Sequence, residues 1–309
     1  MSSEFDQKPV WTQAGPYRVS SELFLDVIFT SRCDCSCPWC IARTETFAEE
    51  DPAAWRKGLE DAFRLFPVRN VIILGGEAAA DPRFEEKFSF LSRIAEAHSV
   101  DHLILTTNGN RLREPGFLAT VLDSRIDAVN ISRMHYRQED NDRIFGRDTL
   151  TPEEIRALYG RLKSAGRTLR INVNVWRGNL DTTEEMEAFV RAFAGACDAV
   201  KFTPLMKTEM FGTVPEVTSY SGKAAMEEKD IAELWDRFTA GHPATRQAEG
   251  VLGFVKYAET EAFGQKVILK YAQVEDKYDR GTEIPTLKLY PNGCLSNEWS
   301  FQNDVRDRL

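Results

Sequence analysis

The stretch Cys33-Asp34-Cys35-Ser36-Cys37-Pro38-Trp39-Cys40 decides how the rest of the chain is read. Four of the six cysteines in 309 residues fall within it, and thiolates at this density hold metal. Cys33, Cys37 and Cys40 follow the spacing Cys-x3-Cys-x2-Cys. That spacing puts three thiolates on one short loop, and iron–sulfur clusters are ligated by cysteine thiolates. A [4Fe-4S] cluster takes four ligands, so three thiolates leave one iron open, and an open position separates a catalytic metal site from a closed structural one. A closed zinc knot with Cys35 as fourth ligand is the alternative, although zinc sites usually draw on two separated Cys/His pairs. A disulfide staple fits poorly: the polar start from Met1 to Gln13 does not read as a secretory leader, and the chain is long enough for its own core.

Around this loop the sequence repeats one unit. Leu23–Thr30 reads as a buried strand that runs straight into the cysteines. Asp51-Pro52 then reads as an N-cap with proline at the first helical position, before Trp55, Leu59, Ala62, Phe63 and Phe66 at helical spacing. Strands are predicted at Asn70–Leu74, His102–Thr106, Ala128–Ile131, Leu169–Val175 and Ala199–Phe202, with apolar helical stripes between them. Thr151-x-x-Glu154 and Thr182-x-x-Glu185 read as capping boxes. Six strand–helix units in series require a parallel sheet with right-handed crossovers, either an open doubly wound sheet or a curved partial barrel. Chemistry in such sheets sits at the carboxyl ends of strands. The cysteine loop, Gly75-Gly76-Glu77, Thr107-Asn108-Gly109, Ser132, Asn174–Arg177 and Thr203–Lys207 all follow strands directly, so they are expected on one rim.

The cysteine spacing, with Trp39 before the last cysteine, resembles the signature of the radical S-adenosylmethionine (radical SAM) superfamily, in single-cluster enzymes of the viperin and MoaA type. Cys35 departs from the usual pattern. The resemblance implies a partial (β/α)6 TIM-like barrel, with a [4Fe-4S] cluster on Cys33, Cys37 and Cys40 whose open iron takes the amino and carboxylate groups of SAM. Reduction then splits SAM into methionine and a 5′-deoxyadenosyl radical. Gly75, Gly76 and Glu77 match the family's GGE motif, which holds the SAM amino group; Thr107 and Asn108 resemble the segment near the adenosyl group. Ser132 stands where family members place a hydroxyl on the ribose or carboxylate, and Arg147 resembles an arginine that pairs with the SAM carboxylate. Asn172 and Asn174 lie two apart on one strand and so share a face, which makes them further cofactor-binding candidates. Cys294, after the turn Pro291-Asn292-Gly293, is either a radical-quenching hydrogen donor, as in the radical SAM peptide epimerases, or a small core residue.

Residues 1–22 read as a lead-in arm, 23–207 as the barrel, and 208–309 as an α+β extension covering its mouth. Within the extension a loop is predicted at Gly212–Gly222, then a helix carrying Ile231, Leu234, Trp235 and Phe238, and strands at Leu252–Tyr257, Val267–Val274 and Thr286–Tyr290. A formal net charge of −9 argues against a nucleic-acid partner. No apolar run is long enough to span a membrane, and a reducible cluster suits the cytoplasm. The expected function is hydrogen abstraction from a small-molecule or nucleotide substrate in biosynthetic tailoring, with flavodoxin or ferredoxin as electron donor. Peptide epimerisation through Cys294 is the alternative; a non-catalytic iron–sulfur or zinc binder is the alternative of another class.

Overall fold

The structure, a computed structural model, describes residues 11–43, 50–208, 214–249, 256–271, 283–299 and 301–309. A hairpin opens it: β1 (Trp11–Ala14) and β2 (Tyr17–Ile28) pair antiparallel around Gly15, whose φ of 61° suits glycine in a tight turn. The described part of the predicted arm is therefore sheet. The alternation of buried Tyr17 and Val19 with exposed Arg18 continues β2 back from Leu23.

Strands β3 (Val68–Leu74), β4 (His102–Thr107), β5 (Ala128–Ser132), β6 (Thr168–Val175) and β7 (Ala199–Pro204) follow β2 side by side in chain order, all parallel. Helices α1 (Pro52–Leu65), α2 (Phe84–Ala97), α3 (Pro115–Leu122), α4 (Gln138–Phe145), α5 (Pro152–Ser164) and α6 (Thr183–Phe193) make the connections. Their starts are chemically marked. The Asp51 carboxylate accepts from the amides of Ala53 and Ala54, and Thr151 and Glu154 form a complete capping box. At α6 the Thr182 hydroxyl accepts from the Glu185 amide, which is half of the predicted box.

One face of the parallel strands presents Leu25, Val27, Val71, Ile73, Leu105, Val129, Ile171 and Val173 to the helices, in a single apolar core with Leu59, Leu91, Ile155 and Phe189. Each such side chain contributes about 1.5–3 kcal/mol on burial. The alternate residues, among them Asn70, Asn130, Asn172 and Asn174, therefore face the concave side. This polar inner face is what gives the molecule a site.

The extension adds to the same sheet rather than standing apart. Helices α7 (Pro215–Ala224) and α8 (Glu228–Gly241) lead to β8 (Ala244–Glu249), β9 (Lys256–Ala262), β10 (Gln265–Lys270), β11 (Glu283–Leu289) and β12 (Leu295–Ser296). Strand β10 pairs parallel with β7 and β11 pairs parallel with β2, so the chain extends both ends of its own sheet. The order is β12-β11-β2-β3-β4-β5-β6-β7-β10-β9-β8, and the described sheet is not closed. It is a partial barrel of six βα units flanked on each side by strands from the C-terminal third.

One expectation for the extension is corrected, and one strand is added to it. The loop predicted over Gly212–Gly222 is helix from Pro215 onward; Pro215 serves as the first helical residue, and buried Val217 and Ser221 overcome a β-branched, serine-rich composition. The edge strand β8 was not predicted, because Ala-Thr-Arg-Gln-Ala-Glu lacks apolar alternation. Of the predicted strands Leu252–Tyr257 and Val267–Val274, residues 252–255 and 272–274 lie outside the described residues. Among the described residues no helix is long and apolar enough to cross a membrane.

Candidate active site

The carboxyl ends of the parallel strands surround a cavity of about 390 Å3. Cys33, Cys35, Cys37 and Cys40 line it together with Gly75, Gly76, Glu77, Thr107, Asn108, Ser132, Asn174 and Thr203. Segments that are far apart in the sequence thus meet on one rim. Asn172 lies one step deeper on β6 and is not among the lining residues; its side-chain oxygen is buried without a hydrogen-bond partner.

The two glycines after β3 are dictated by the cysteine loop itself. A Cβ on Gly75 would stand 2.6 Å from the Thr30 carbonyl oxygen, and one on Gly76 would stand 2.4 Å from the carbonyl oxygens of Ser31 and Arg32. Bare backbone lets the amide of Gly76 donate to Thr30 O at 2.8 Å and that of Glu77 to Arg32 O at 2.7 Å. The turn carrying Glu77 is thereby hydrogen-bonded to the segment that launches the cysteines.

Glu77 is buried, and it is the only carboxylate among the described lining residues. Its Oε1 accepts from the Thr107 hydroxyl at 2.7 Å and the Ala79 amide at 3.1 Å, and its Oε2 from the Asn108 amide at 2.6 Å. Burial pushes its carboxyl up to about 7 despite these donors. A carboxylate has about four acceptor sites, so one remains for a cation in the cavity.

The cysteine loop is clamped from three sides. The Ser36 amide donates to Phe145 O at 2.8 Å, and Gly146, the left-handed cap of α4, lies so close that a Cβ would meet Ser36 Oγ at 2.0 Å. Asp34 accepts from Asn108 Nδ2 at 2.6 Å and from Asn110 Nδ2 at 3.5 Å, and it forms an ion pair with Arg147. Trp39 is buried against Trp176, with ring centroids 4.5 Å apart, in a cluster with Met134, Phe145 and Leu205. From the extension, Tyr220 approaches Trp39 at 6.1 Å and the Val214 amide donates to Arg43 O at 3.3 Å, which seats α7 over the loop.

The four thiols differ. Burial pushes those of Cys37 and Cys40 up. A hydrogen bond from Cys35 holds Cys33 down, and the same contact drives Cys35 up. Cys35 Sγ also accepts from Asn108 Nδ2 at 3.2 Å. A soft thiolate donor set on one loop, facing a single buried carboxylate, fits a [4Fe-4S] cluster with an ammonium-bearing ligand beside it.

Other sequence candidates are placed differently. Arg147 is engaged with Asp34 and is not among the lining residues. Cys294 is buried with Ile28 and Tyr290, also outside the lining; Leu74, which does line the cavity, packs against that group. Cys197 is buried at the far end of α6. Sequence reading missed Asp34 and Asn110, whose roles appear only when β4 is beside the loop. It also missed Met134 and Lys270, which line the cavity; Trp176 lies within the predicted rim segment Asn174–Arg177, but its packing on Trp39 was not foreseen.

Comparison with known proteins adds three findings. The family model described as "Radical SAM superfamily" matches residues 27–193. The chain is 26% identical over 247 residues to the GTP 3′,8-cyclase of Paracoccus denitrificans, covering 79% of this chain and 67% of that protein. It is 30% identical over 174 residues to the same enzyme of Rhodopseudomonas palustris, covering 50% of this chain and 45% of that one. In fold it is similar to Streptococcus suis SuiB, with a TM-score of 0.60 at 15% identity, covering 94% of this chain and 66% of SuiB. The form bound to the precursor peptide SuiA gives a TM-score of 0.59 at 16% identity, covering 93% and 64%.

Proposed function

The chain belongs to the radical SAM superfamily, and from that premise we propose that it abstracts hydrogen from a small-molecule or nucleotide substrate held in the cavity between the cysteine loop and β10. It is an enzyme whose cofactors are a [4Fe-4S] cluster and SAM. Together these supply reductive cleavage of the SAM sulfonium and so the 5′-deoxyadenosyl radical. The residues of the chain bind, orient and shield.

Cys33, Cys37 and Cys40 are the cluster ligands in this reading, with Cys35 a neighbour that hydrogen-bonds Cys33. Glu77 takes the SAM ammonium on its remaining acceptor site, held in place by Thr107 and the Asn108 amide. Ser132 and Asn174 line the same cavity and would contact the rest of SAM. Arg147 steadies the cysteine loop through Asp34. Helix α7 and the aromatic group of Trp39, Trp176 and Tyr220 keep water from the loop. A flavodoxin- or ferredoxin-type donor supplies the electron, which places the reaction in a reducing compartment.

The observation that carries the reading is that the cysteine trio and a single buried carboxylate line the same cavity. The substrate class rests on relatives that are GTP 3′,8-cyclases by name; the likeness to SuiB is one of fold. The peptide epimerase alternative needs a thiol that reaches the substrate radical, and Cys294 sits behind Leu74.

Anaerobic reconstitution with iron and sulfide, followed by an assay for reductant-dependent 5′-deoxyadenosine, tests the proposal. Formation that rises with a nucleotide or small-molecule substrate supports it. A fully iron-loaded protein that yields none with SAM and reductant is a metal binder instead.

A further inference from the structure

Cys35 is the one thiol of the loop that the cluster leaves over if Cys33, Cys37 and Cys40 hold it. Resting on that reading, we propose that Cys33, Asp34 and Cys35 form a second metal site, which holds one borderline divalent cation, zinc or ferrous iron, in a chain without its cluster. The ligand atoms of the three residues all lie within 4.8 Å of one another. Metal bonds of about 2.3 Å to sulfur and 2.0–2.2 Å to oxygen set tetrahedral donors roughly 3.6–3.8 Å apart. Cys35 Sγ stands 3.8 Å from Asp34 Oδ1, and the Cys35 amide donates to Cys33 Sγ at 3.4 Å, which turns that sulfur toward the other two donors. Small side-chain rotations therefore close all three on one ion. Two thiolates and a carboxylate are donors that zinc takes, with a fourth position left to water.

The surroundings hold this trio together and balance its charge. Asn108 Nδ2 donates to Asp34 Oδ1 at 2.6 Å and to Cys35 Sγ at 3.2 Å. Asn110 Nδ2 reaches Asp34 Oδ2 at 3.5 Å and Cys35 Sγ at 4.0 Å. Both asparagines are buried, and from the segment that follows β4 they pin the carboxylate and the thiol side by side. Outer hydrogen bonds of this kind orient metal ligands. With the Arg147 ion pair included, three of the roughly four acceptor sites of the Asp34 carboxylate are used, and one remains for an ion. Two thiolates and one carboxylate are matched by a divalent ion and the Arg147 guanidinium, so the occupied site is neutral. Cys33 and Asp34 are exposed, which gives the ion its path from solvent.

Cys33 belongs to both sites, and that gives the second one a consequence. An ion on Cys33, Asp34 and Cys35 leaves only Cys37 and Cys40 for a [4Fe-4S] cluster, which needs the third thiolate. The two occupants therefore exclude each other. Zinc at the site keeps the chain in a cluster-free, inactive form, whereas ferrous iron there is already bound to the first cysteine of the loop. Cys37 and Cys40 lie outside the trio, which separates this site from a closed knot of four thiolates.

The test uses the full chain, reduced and freed of metal under anaerobic conditions. Zinc and ferrous iron are each titrated against a competing chelator, for wild type, Cys35→Ala, Asp34→Asn, Cys37→Ala and Cys40→Ala. One ion per chain is expected, bound about tenfold or more weakly in Cys35→Ala and Asp34→Asn and close to wild type in Cys37→Ala and Cys40→Ala. Binding of either metal in this pattern supports the site, and the metal that binds identifies its ion. No binding by wild type, wild-type affinity in Cys35→Ala, or an equal loss in Cys37→Ala overturns it. One equivalent of zinc added before iron and sulfide should block cluster assembly in wild type and much less so in Cys35→Ala; equal inhibition of the two overturns the mutual exclusion. Reconstitution of Cys35→Ala without zinc tests the premise on its own. Loss of iron and sulfide there overturns the three-thiolate reading of the cluster, while the zinc and iron affinities of the metal-free variants still decide whether the second site exists.

Discussion

Arg147 pairs with Asp34, the residue directly after the first cysteine of the loop, and so ties the end of α4 to the cysteine loop. The resemblance assigned this arginine to the SAM carboxylate. In the structure its partner is the chain's own carboxylate, which Asn108 and Asn110 also hold. The two assignments separate experimentally. If the pair steadies the loop, Arg147→Met should lose iron to a chelator about tenfold faster than wild type, and Asp34→Asn should do the same. If the arginine serves SAM, Arg147→Met should keep its iron and lose SAM affinity, while Asp34→Asn is mild. Iron release followed by absorbance, beside SAM binding, decides between them.

Cys35 is the departure from the family spacing, and its contacts are to the protein: the Cys33 thiol, Asp34 and Asn108. Cys35→Ala should therefore retain the iron and sulfide of wild type after reconstitution. Cys33→Ala, Cys37→Ala and Cys40→Ala should each lose most of it. Loss of metal in all four variants would point to a closed four-thiolate site.

How far the sequence reaches is visible in these residues. The six βα units were legible because a strand facing helices on one side and a polar lumen on the other alternates strictly, as Leu169, Ile171 and Val173 do against Arg170, Asn172 and Asn174. Gly76 was legible as part of a motif, but the neighbour that requires glycine there is the Ser31–Arg32 backbone, which only the β2–β3 pairing brings there. The arginine of Phe145-Gly146-Arg147 was legible as important, while its partner depended on a contact 113 residues away. Lys270 was not legible: nothing local says that β10 returns to pair with β7, and without that pairing it is one surface lysine among many.

The raised carboxyl of Glu77 gives two pH dependences of known sign. SAM needs the ionised form, so its affinity should fall as pH drops through about 7, by about tenfold per unit below it. Folding has the opposite slope. The ordinary value is 4.5 and the folded value about 7, so the folded state binds the extra proton between them. The stability this contributes is fully present below 4.5 and is lost as pH rises through 7, to a total of about 3 kcal/mol. In Glu77→Gln this component is gone. The stability difference between the variant and wild type, from urea melts of the apo protein at pH 5 and pH 8, should shift toward the variant at the higher pH. The variant should bind SAM poorly at both. Parallel stability curves would mean that Glu77 titrates normally.

Beneath the cysteine loop, Lys87 and Asp81 form an ion pair at 2.6 Å, with side chains 5% and 0% exposed. The ammonium also donates to the carbonyl of Phe29, where β2 hands over to the loop, and it lies 5.4 Å from the Trp55 ring centroid. Two charges taken this far out of water are costly singly and tolerable together. Removing one should leave the other stranded. Asp81→Asn or Lys87→Met alone should lower stability by about 3–5 kcal/mol. The double variant Asp81→Asn/Lys87→Met should cost much less than the sum, because neither charge is left alone and Met retains the contact with Trp55 and Phe29. Chemical denaturation of the four proteins closes the cycle, and additive losses would show that the two residues act independently. Iron uptake gives a second readout. The Phe29 carbonyl loses its donor whenever Lys87 is replaced, so the double variant should recover stability without recovering full reconstitution, whereas Asp81→Asn alone should reconstitute in proportion to the fraction that is folded.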